Sequence, residues 1–157
     1  MVVVDQDDDN CAKLKASLEA MATEAGFVTR STAKGGFYSV VNRLAIEELE
    51  AWYFGDWPAV RAAFPRVPDT IPTQAKYRDP DAIAGGTWEA FERILQKSGY
   101  FKGGLRKIEV ARSIAAYMKP GGNRSKSFQV LYSTLLEMAG PMNPGLTGSV
   151  IEETALD

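Results

Sequence analysis

The order of apolar and polar residues predicts a short strand followed by a helix at the start of the chain. Met1–Val4 is a β-branched run that stops abruptly at acidic residues, which is typical of a buried parallel strand. In the segment that follows, Asp9 or Asn10 is placed to cap a helix and Gly26 is placed to end it. Its apolar residues have helical spacing and comprise Leu14, Leu18, Met21 and Ala25.

The pattern then repeats a strand and a helix before it becomes irregular. Residues 27–31 and 37–46 are rich in strand-forming residues, and Lys34-Gly35-Gly36 between them predicts a turn. From Glu47 the spacing becomes helical, and Asp56 or Trp57 before Pro58 predicts a second helix start, with that helix ending near Phe64. The first 64 residues therefore favour an α/β arrangement with a parallel or mixed sheet.

The second half of the chain is predicted to be mainly helical. Residues 65–86 hold four prolines and indicate a surface connection. Helices are expected from Thr87 to about Ser98, from Arg106 to Met118 with Ile108, Ala111, Ala115 and Met118 on its apolar face, and from Ser125 or Ser127 onward. We expect a helical lobe of the same domain over 87–139 and a loose tail over 140–157.

Composition narrows the chemistry that is open to this chain. It has no histidine and one cysteine, which excludes Ser-His-Asp and Cys-His catalysis and structural zinc sites. The lone Cys11, which lacks a basic partner, indicates a half-buried structural thiol. No signal peptide or membrane-spanning run is present, so a cytoplasmic protein without a membrane partner is expected.

Two sets of acidic residues follow the predicted strands. Asp5 and Asp7 are two apart on the first strand, so their carboxylates point to one side at its carboxyl end, where a hard cation such as Mg²⁺ (or Mn²⁺) can bind. The alternative is helix capping, which explains Asp8 and Asp9 equally well. Glu47 and Glu50 are three apart on the predicted helix and so share one of its faces. They either reach the same cation or form an acidic first turn of that helix.

Positive charge is concentrated late in the chain. Between Lys97 and Lys126 eight basic residues face a single acid, Glu109. Such a cluster is either a solvated helical surface or the footprint of a phosphate-bearing partner. A basic cluster beside an acidic one suits a metal-assisted phosphodiester site, in which carboxylates bind the cation and basic side chains bind the flanking phosphates. The residues expected to contact phosphates are Lys102, Arg106, Lys107, Arg124 and Lys126.

These elements, taken in order, resemble the prokaryotic domain-of-unknown-function family 4276, which is Toprim-like. The resemblance runs from Val2 to about Leu136. It rests on the Asp5-Gln-Asp7 strand end, on Arg43-Leu-Ala-Ile followed by Glu50-Ala-Trp and Asp56, on Gly103-Gly-Leu-Arg-Lys107 and on Asn123-Arg-Ser-x-Ser-Phe-Gln129. It implies Mg²⁺ binding through Asp5 and Asp7 with Glu50 as a downstream acidic residue. It also implies a neighbouring ATPase as partner and a role in phage defence.

One strand that the resemblance implies has no counterpart in this sequence. Toprim-type domains carry a further metal-binding glutamate on a strand before the DxD strand, and here the chain starts at Met1. We therefore expect either an incompletely started chain or a sheet that has lost its first carboxylate, with a second copy in a homodimer as one source of the missing strand.

Three functions follow as expectations. The first is a Mg²⁺-dependent nuclease with Asp5, Asp7 and Glu50 as catalytic carboxylates, and the second is a non-catalytic nucleic-acid-binding or ATPase-associated subunit. The third is a fragment that folds poorly alone.

Overall fold

Two parallel strands and six α-helices form the part of the chain that a computed structural model describes, namely residues 1–7, 9–34, 37–104 and 106–140. The strands are β1 (Val2–Asp5) and β2 (Asn42–Ala45). The helices are α1 (Cys11–Glu24), α2 (Ala51–Gly55), α3 (Trp57–Ala63), α4 (Thr87–Lys97), α5 (Lys107–Ala115) and α6 (Lys126–Ala139). The predicted α/β class, with a partial parallel sheet flanked by helices, is confirmed. The predicted tail lies outside the described residues from residue 141 onward.

The sheet is small, and β1 forms its edge. β1 pairs in parallel with β2, with Asp5 opposite Ala45, and the predicted strand over 27–31 is reduced to one parallel bridge between Thr29 and Val40. The prediction of a buried strand at Met1–Val4 is wrong, since Val2 and Val3 are 40% and 43% exposed. Among the described strands β1 has β2 as its sole partner. The helices α1 and α6 pack mainly against β2, so the apolar side chains of β1 receive less cover.

The main core is aromatic and lies in the helical half of the chain. The Phe54 ring stacks on the rings of Trp57 and Tyr77 and meets Phe91 edge-on. The segment 65–86, which the sequence predicts to be a surface connection, packs four side chains into this core, namely Val67, Ile71, Tyr77 and Ile83. The segment contains three short 3₁₀ helices, Ile71–Thr73, Ala75–Tyr77 and Pro80–Ala82, and the first two of them supply Ile71 and Tyr77.

The predicted apolar faces of two helices are only partly right, since Leu14 and Leu18 in the first and Ala111 and Met118 in the second are partly buried. In α1 the buried residue is Ala22, whereas Met21 is 61% exposed. In α5 the buried residues are Val110 and Ile114, whereas Ile108 is 70% exposed. The predicted stripe of α5 contained two alanines, so the i, i+4 pair Val110 and Ile114 buries more apolar surface.

The start of α6 is tied to the rest of the fold by buried polar groups. Ser125 caps the helix, as predicted, by accepting from the Phe128 N–H over 3.1 Å. The Asp81 carboxylate accepts from the Ser125 hydroxyl at 2.7 Å, and it also accepts from the backbone N–H of Lys126. These bonds fix α6 beside β2. Within the described residues no helix combines the length and the apolar character needed to cross a membrane.

Candidate functional site

The carboxyl ends of β1 and β2 are joined by hydrogen bonds that continue beyond the strands. The Gln6 N–H donates to the carbonyl of Ala45 over 2.9 Å, and the Asp7 N–H donates to the carbonyl of Glu47 over 2.8 Å. Asp7 and Glu47 therefore come together, as expected for acidic residues at the ends of neighbouring parallel strands. Both have a left-handed backbone, with φ of 48° and 61°.

Four acidic side chains line a cavity of about 330 Å³ at this end of the sheet, which we call the acidic cleft. Its wall consists of Asp7, Glu47, Glu48 and Glu89, together with Gly85 and Gly86. A Cβ at Gly86 would lie 1.9 Å from the Glu89 Oε2 atom. Glycine at that position therefore allows the Glu89 carboxylate to fold back over the start of α4.

Glu48 connects the acidic cleft to α4. Its Oε2 atom accepts from the Thr87 hydroxyl at 2.9 Å and from the Trp88 N–H at 2.7 Å. A carboxylate at this place satisfies a free N–H of the first helical turn and suits the helix dipole. The ammonium of Lys107 lies 4.0 Å from the centre of the Trp88 ring. The Trp88 ring thus holds a cation from α5, whose charge acts on Asp5 and Glu50.

Asp5 and Glu50 share the electrostatic environment of the acidic cleft. Burial raises the pKa of the Asp5 carboxyl, and the neighbouring charges of Asp7 and Glu48 raise it further, against the Leu49 N–H and Lys107. The Glu50 side chain is buried, with 7% exposure, and burial is also the largest cause of its raised pKa. Nearby negative charge disfavours ionisation of both groups, so a bound cation stabilises their charged forms.

The chemistry of these side chains fits a hard divalent cation. Carboxylate oxygens are the ligands that Mg²⁺ prefers, and Mg²⁺ is commonly held by one or two carboxylates while it keeps several waters. Within the described ranges, no three acidic or cysteine side chains form a group that could hold a metal ion. A cation at this end of the sheet would therefore need water or substrate phosphate to complete its coordination shell.

Two acidic residues of the cleft were missing from the predicted metal ligands. Glu48 lies 39 residues before Thr87, so the sequence gives no sign of the contact between them. Glu89 lies inside the helix predicted from Thr87 to about Ser98, and no neighbouring run of charges marks it. The Gly85-Gly86 pair before that helix is the sequence signal, because glycine allows another group to approach the backbone closely.

Two expectations about individual residues are wrong, and one is confirmed. Glu47 and Glu50 do not share a helical face, because Glu47 has a left-handed backbone and α2 begins at Ala51. The Cys11 thiol is exposed rather than half-buried. Asp56 caps α3, as predicted, since it accepts from the Ala59 N–H at 3.3 Å, and it also accepts from the Lys119 N–H at 2.7 Å.

The predicted phosphate-contacting residues lie in different surroundings. The charge of Lys107 acts on Asp5 and Glu50, and Arg106 pairs with Glu109 at 3.0 Å. Lys102 is exposed in the loop before α5. Arg124 lines a cavity of about 630 Å³ with Trp57, Arg61 and Lys119, and Lys126 lines a second groove beside β2.

Comparison with known proteins gives one match. A family model described as "Domain of unknown function (DUF4276)" matches residues 1–136. No curated protein and no solved structure matches the chain.

Proposed function

The chain belongs to the DUF4276 family, and we propose that it is a Toprim-like, magnesium-dependent phosphoryl-transfer domain that acts on nucleic acid, specifically as a nuclease of a prokaryotic defence system. The observation that carries the proposal is the acidic cleft at the carboxyl ends of β1 and β2, with Lys107 beside it. Carboxylates for a cation and a cation for the flanking phosphate are the two requirements of metal-assisted phosphodiester chemistry.

Each residue has a role that follows from its surroundings. Asp5 and Asp7 would hold Mg²⁺ or Mn²⁺, with Glu47 or Glu50 completing the shell or orienting water. The bound ion polarises a phosphoryl oxygen and lowers the pKa of water. Glu48 positions the cleft through its bonds to α4, and Lys107 contacts the phosphate next to the scissile bond.

The proposal includes a cellular setting. A cytoplasmic location supplies both Mg²⁺ and nucleic acid, and a neighbouring ATPase and a second copy of the chain are the proposed partners. β1 supports the homodimer, because it is an edge strand whose Val2 and Val3 side chains are about two-fifths exposed.

The test compares Asp7→Asn with the parent protein on labelled single-stranded and duplex DNA and RNA, in Mg²⁺, Mn²⁺ or EDTA. We expect cleavage by the parent that requires metal, and a loss of about two orders of magnitude or more in the variant, because removing one electrostatic stabiliser typically costs this much. Asp9→Asn is the matched control, since Asp9 is an exposed acid nearby that does not line the cleft. Equal cleavage by Asp7→Asn and the parent would refute the proposal.

A second candidate function is a non-catalytic nucleic-acid-binding or ATPase-associated subunit on a decayed Toprim-like fold. The observation that favours it is that no three acidic or cysteine side chains in the described part of the chain form a group that could hold a metal ion. This alternative expects binding that weakens with salt and is lost on charge reversal at Arg106 and Lys107, without turnover in any metal. Binding that does not respond to ionic strength would count against it.

A further inference from the structure

A groove follows the edge of β2 that faces away from β1, and we call it the edge groove. Two adjoining cavities of about 410 and 260 Å³ form it, and they share Lys15, Asn42, Arg43 and Val130. Consecutive strand residues point to opposite faces of a sheet, so a cavity lined by both Asn42 and Arg43 runs along the strand edge. α1 supplies Lys15 on one side and α6 supplies Val130 on the other.

Arg43 brings into the edge groove a positive charge that forms no ion pair with a described residue. Its Nε donates to the Thr134 hydroxyl at 2.8 Å and its Nη1 donates to the carbonyl of Asn42 at 2.9 Å. Both acceptors are neutral, and no ion pair joins Arg43 to a carboxylate within the described residues. Burial and the like charge of Arg30 lower the pKa of the guanidinium, while the negative charges of Glu137 and Glu19 act in the opposite direction. A guanidinium has five N–H donors, so several remain for a ligand.

The other charges of the edge groove are mostly positive. Lys15, Arg30 and Lys126 line it with Arg43, whereas Glu19 is the acid among its described lining residues. The Glu19 carboxylate accepts from the Asn42 amide at 2.7 Å and from the Ser31 hydroxyl. Arg30 is paired with Glu137 at 2.7 Å, which leaves Lys15, Arg43 and Lys126 without an ion pair in this part of the structure.

We propose that the edge groove binds the phosphates of a nucleic-acid strand that continues into the acidic cleft. Three cations along two adjoining cavities match an extended polyanion better than a single phosphate, and a guanidinium fork suits phosphate oxygens. The consecutive residues Ile46 and Glu47 line the groove and the cleft, respectively. Arg43 precedes Glu47 by four residues, a separation of at most roughly 14 Å for a fully extended chain. The identification of the polyanion as nucleic acid rests on the proposed function.

Binding is measured by fluorescence anisotropy with a short labelled oligothymidylate in EDTA, so that cleavage does not contribute. Lys15→Gln and Arg43→Gln are compared with Lys13→Gln, which removes the same charge from α1 at a residue outside the groove. We expect each groove variant to weaken binding about tenfold, as for a lost charged hydrogen bond. The slope of log K against log salt should fall by about 0.7 for each removed phosphate contact to a single strand.

Lys15 is exposed, so Lys15→Gln keeps the test valid even where Arg43→Gln disturbs folding. Parent-like affinity and salt slope in both groove variants, with normal thermal unfolding, would overturn the inference. So would equal weakening by Lys13→Gln, or displacement of the oligonucleotide by a polyglutamate peptide as effectively as by unlabelled oligonucleotide, which would indicate an acidic peptide as ligand.

The two proposals fail separately. Loss of oligonucleotide binding in the groove variants, together with no cleavage by the parent in any metal, supports the edge groove and rejects the nuclease. Metal-dependent cleavage that Asp7→Asn abolishes, together with groove variants that bind and cleave as the parent does, supports the nuclease and rejects the edge groove.

Discussion

The backbone N–H of Asp7 donates to the carbonyl of Glu47 over 2.8 Å, and both residues have positive φ. A left-handed backbone costs an L-residue other than glycine roughly 1–2 kcal/mol. Two such residues at the ends of paired strands, both lining the acidic cleft, place backbone strain at the proposed metal site. The hydrogen bond between the two backbones offsets this strain, and it brings both carboxylates to the acidic cleft.

We predict that Glu47→Gly is more stable than Glu47→Ala by about 1 kcal/mol, because glycine adopts positive φ without the steric cost that alanine meets. Both variants lose the same charge, so their difference isolates the backbone. Urea unfolding at neutral pH measures it. In ordinary strand or helix positions alanine is the more stable of the two, so that order at residue 47 would contradict the prediction.

The second prediction concerns the buried carboxyl of Glu50. Its pKa is raised in the folded protein, so the native state binds this proton more tightly than the unfolded chain does, and stability falls as pH rises above the ordinary carboxyl pKa. Glu50→Gln should therefore unfold a few degrees higher at pH 7 without metal, since roughly 1 kcal/mol corresponds to about 2–8 °C in domains of up to about 250 residues. The difference should vanish near pH 4.

Magnesium provides the complementary measurement for Glu50. If the cation binds among these carboxylates, thermal unfolding of the parent should shift upward with Mg²⁺ while Glu50→Gln gains less. An equal rise in unfolding temperature in both proteins would show that Glu50 is not part of the proposed coordination shell. It would not change the prediction that the buried charge of Glu50 destabilises the metal-free protein.

Gly55 is predicted to tolerate no side chain. A Cβ there would lie 1.9 Å from the Asn123 Oδ1 atom. Asn123 is buried, donates to the Trp52 carbonyl at 2.9 Å and accepts from the Ser125 N–H at 2.9 Å. Gly55→Ala should cost about 3 kcal/mol, from overpacking and broken buried hydrogen bonds. Gly121→Ala is the control, because its Cβ would meet no atom within 4 Å.

The control variant should unfold within about 0.5 kcal/mol of the parent in urea, as most surface substitutions do. If Gly55→Ala does the same, the close contact between α2 and the residues before α6 is not required for the fold.

Glu19 carries the opposite pH dependence to Glu50. Hydrogen bonds from Ser31, Thr29 and Asn42 lower the pKa of its carboxyl. The stabilisation is therefore present above the ordinary carboxyl pKa and is lost as pH falls through the lowered value. Glu19→Gln should be less stable than the parent at pH 7 by under about 1 kcal/mol, since the group is largely solvated. Chemical unfolding should show the two proteins converging in acid.

Glu24→Gln at the end of α1 serves as the comparison, since the Glu24 side chain makes none of these bonds. A parent–variant difference for Glu19→Gln that grows in acid would reverse the assigned sign.

Local features of this fold could be predicted from the sequence, and long-range ones could not. The caps Asn10, Asp56 and Ser125 are confirmed because a cap depends on residues within one helical turn. The helix predicted from Thr87 to about Ser98 is confirmed as α4, and its large apolar residues Phe91 and Leu95, four apart, are buried together because no second apolar stripe competes with them. The face of α5 is only partly right, with Ala111 and Met118 packed against the core and Ile108 exposed, because two weak apolar stripes compete on this helix. Glu48 and Glu89 escaped prediction because the contact between the β2 end and α4 is tertiary.

Burial is uneven along the chain, and it determines which parts of the protein unfold locally. β1 has no fully buried residue and α1 has one, Ala22, whereas the aromatic cluster around Phe54 is almost wholly enclosed. We therefore expect amide hydrogens of β1 and α1 to exchange with solvent through local unfolding while those of α4 stay protected. Asp5 and Asp7 belong to the readily opened region and Glu89 to the protected one. A ligand that bridges them would slow exchange in β1 and so couple site occupancy to local order.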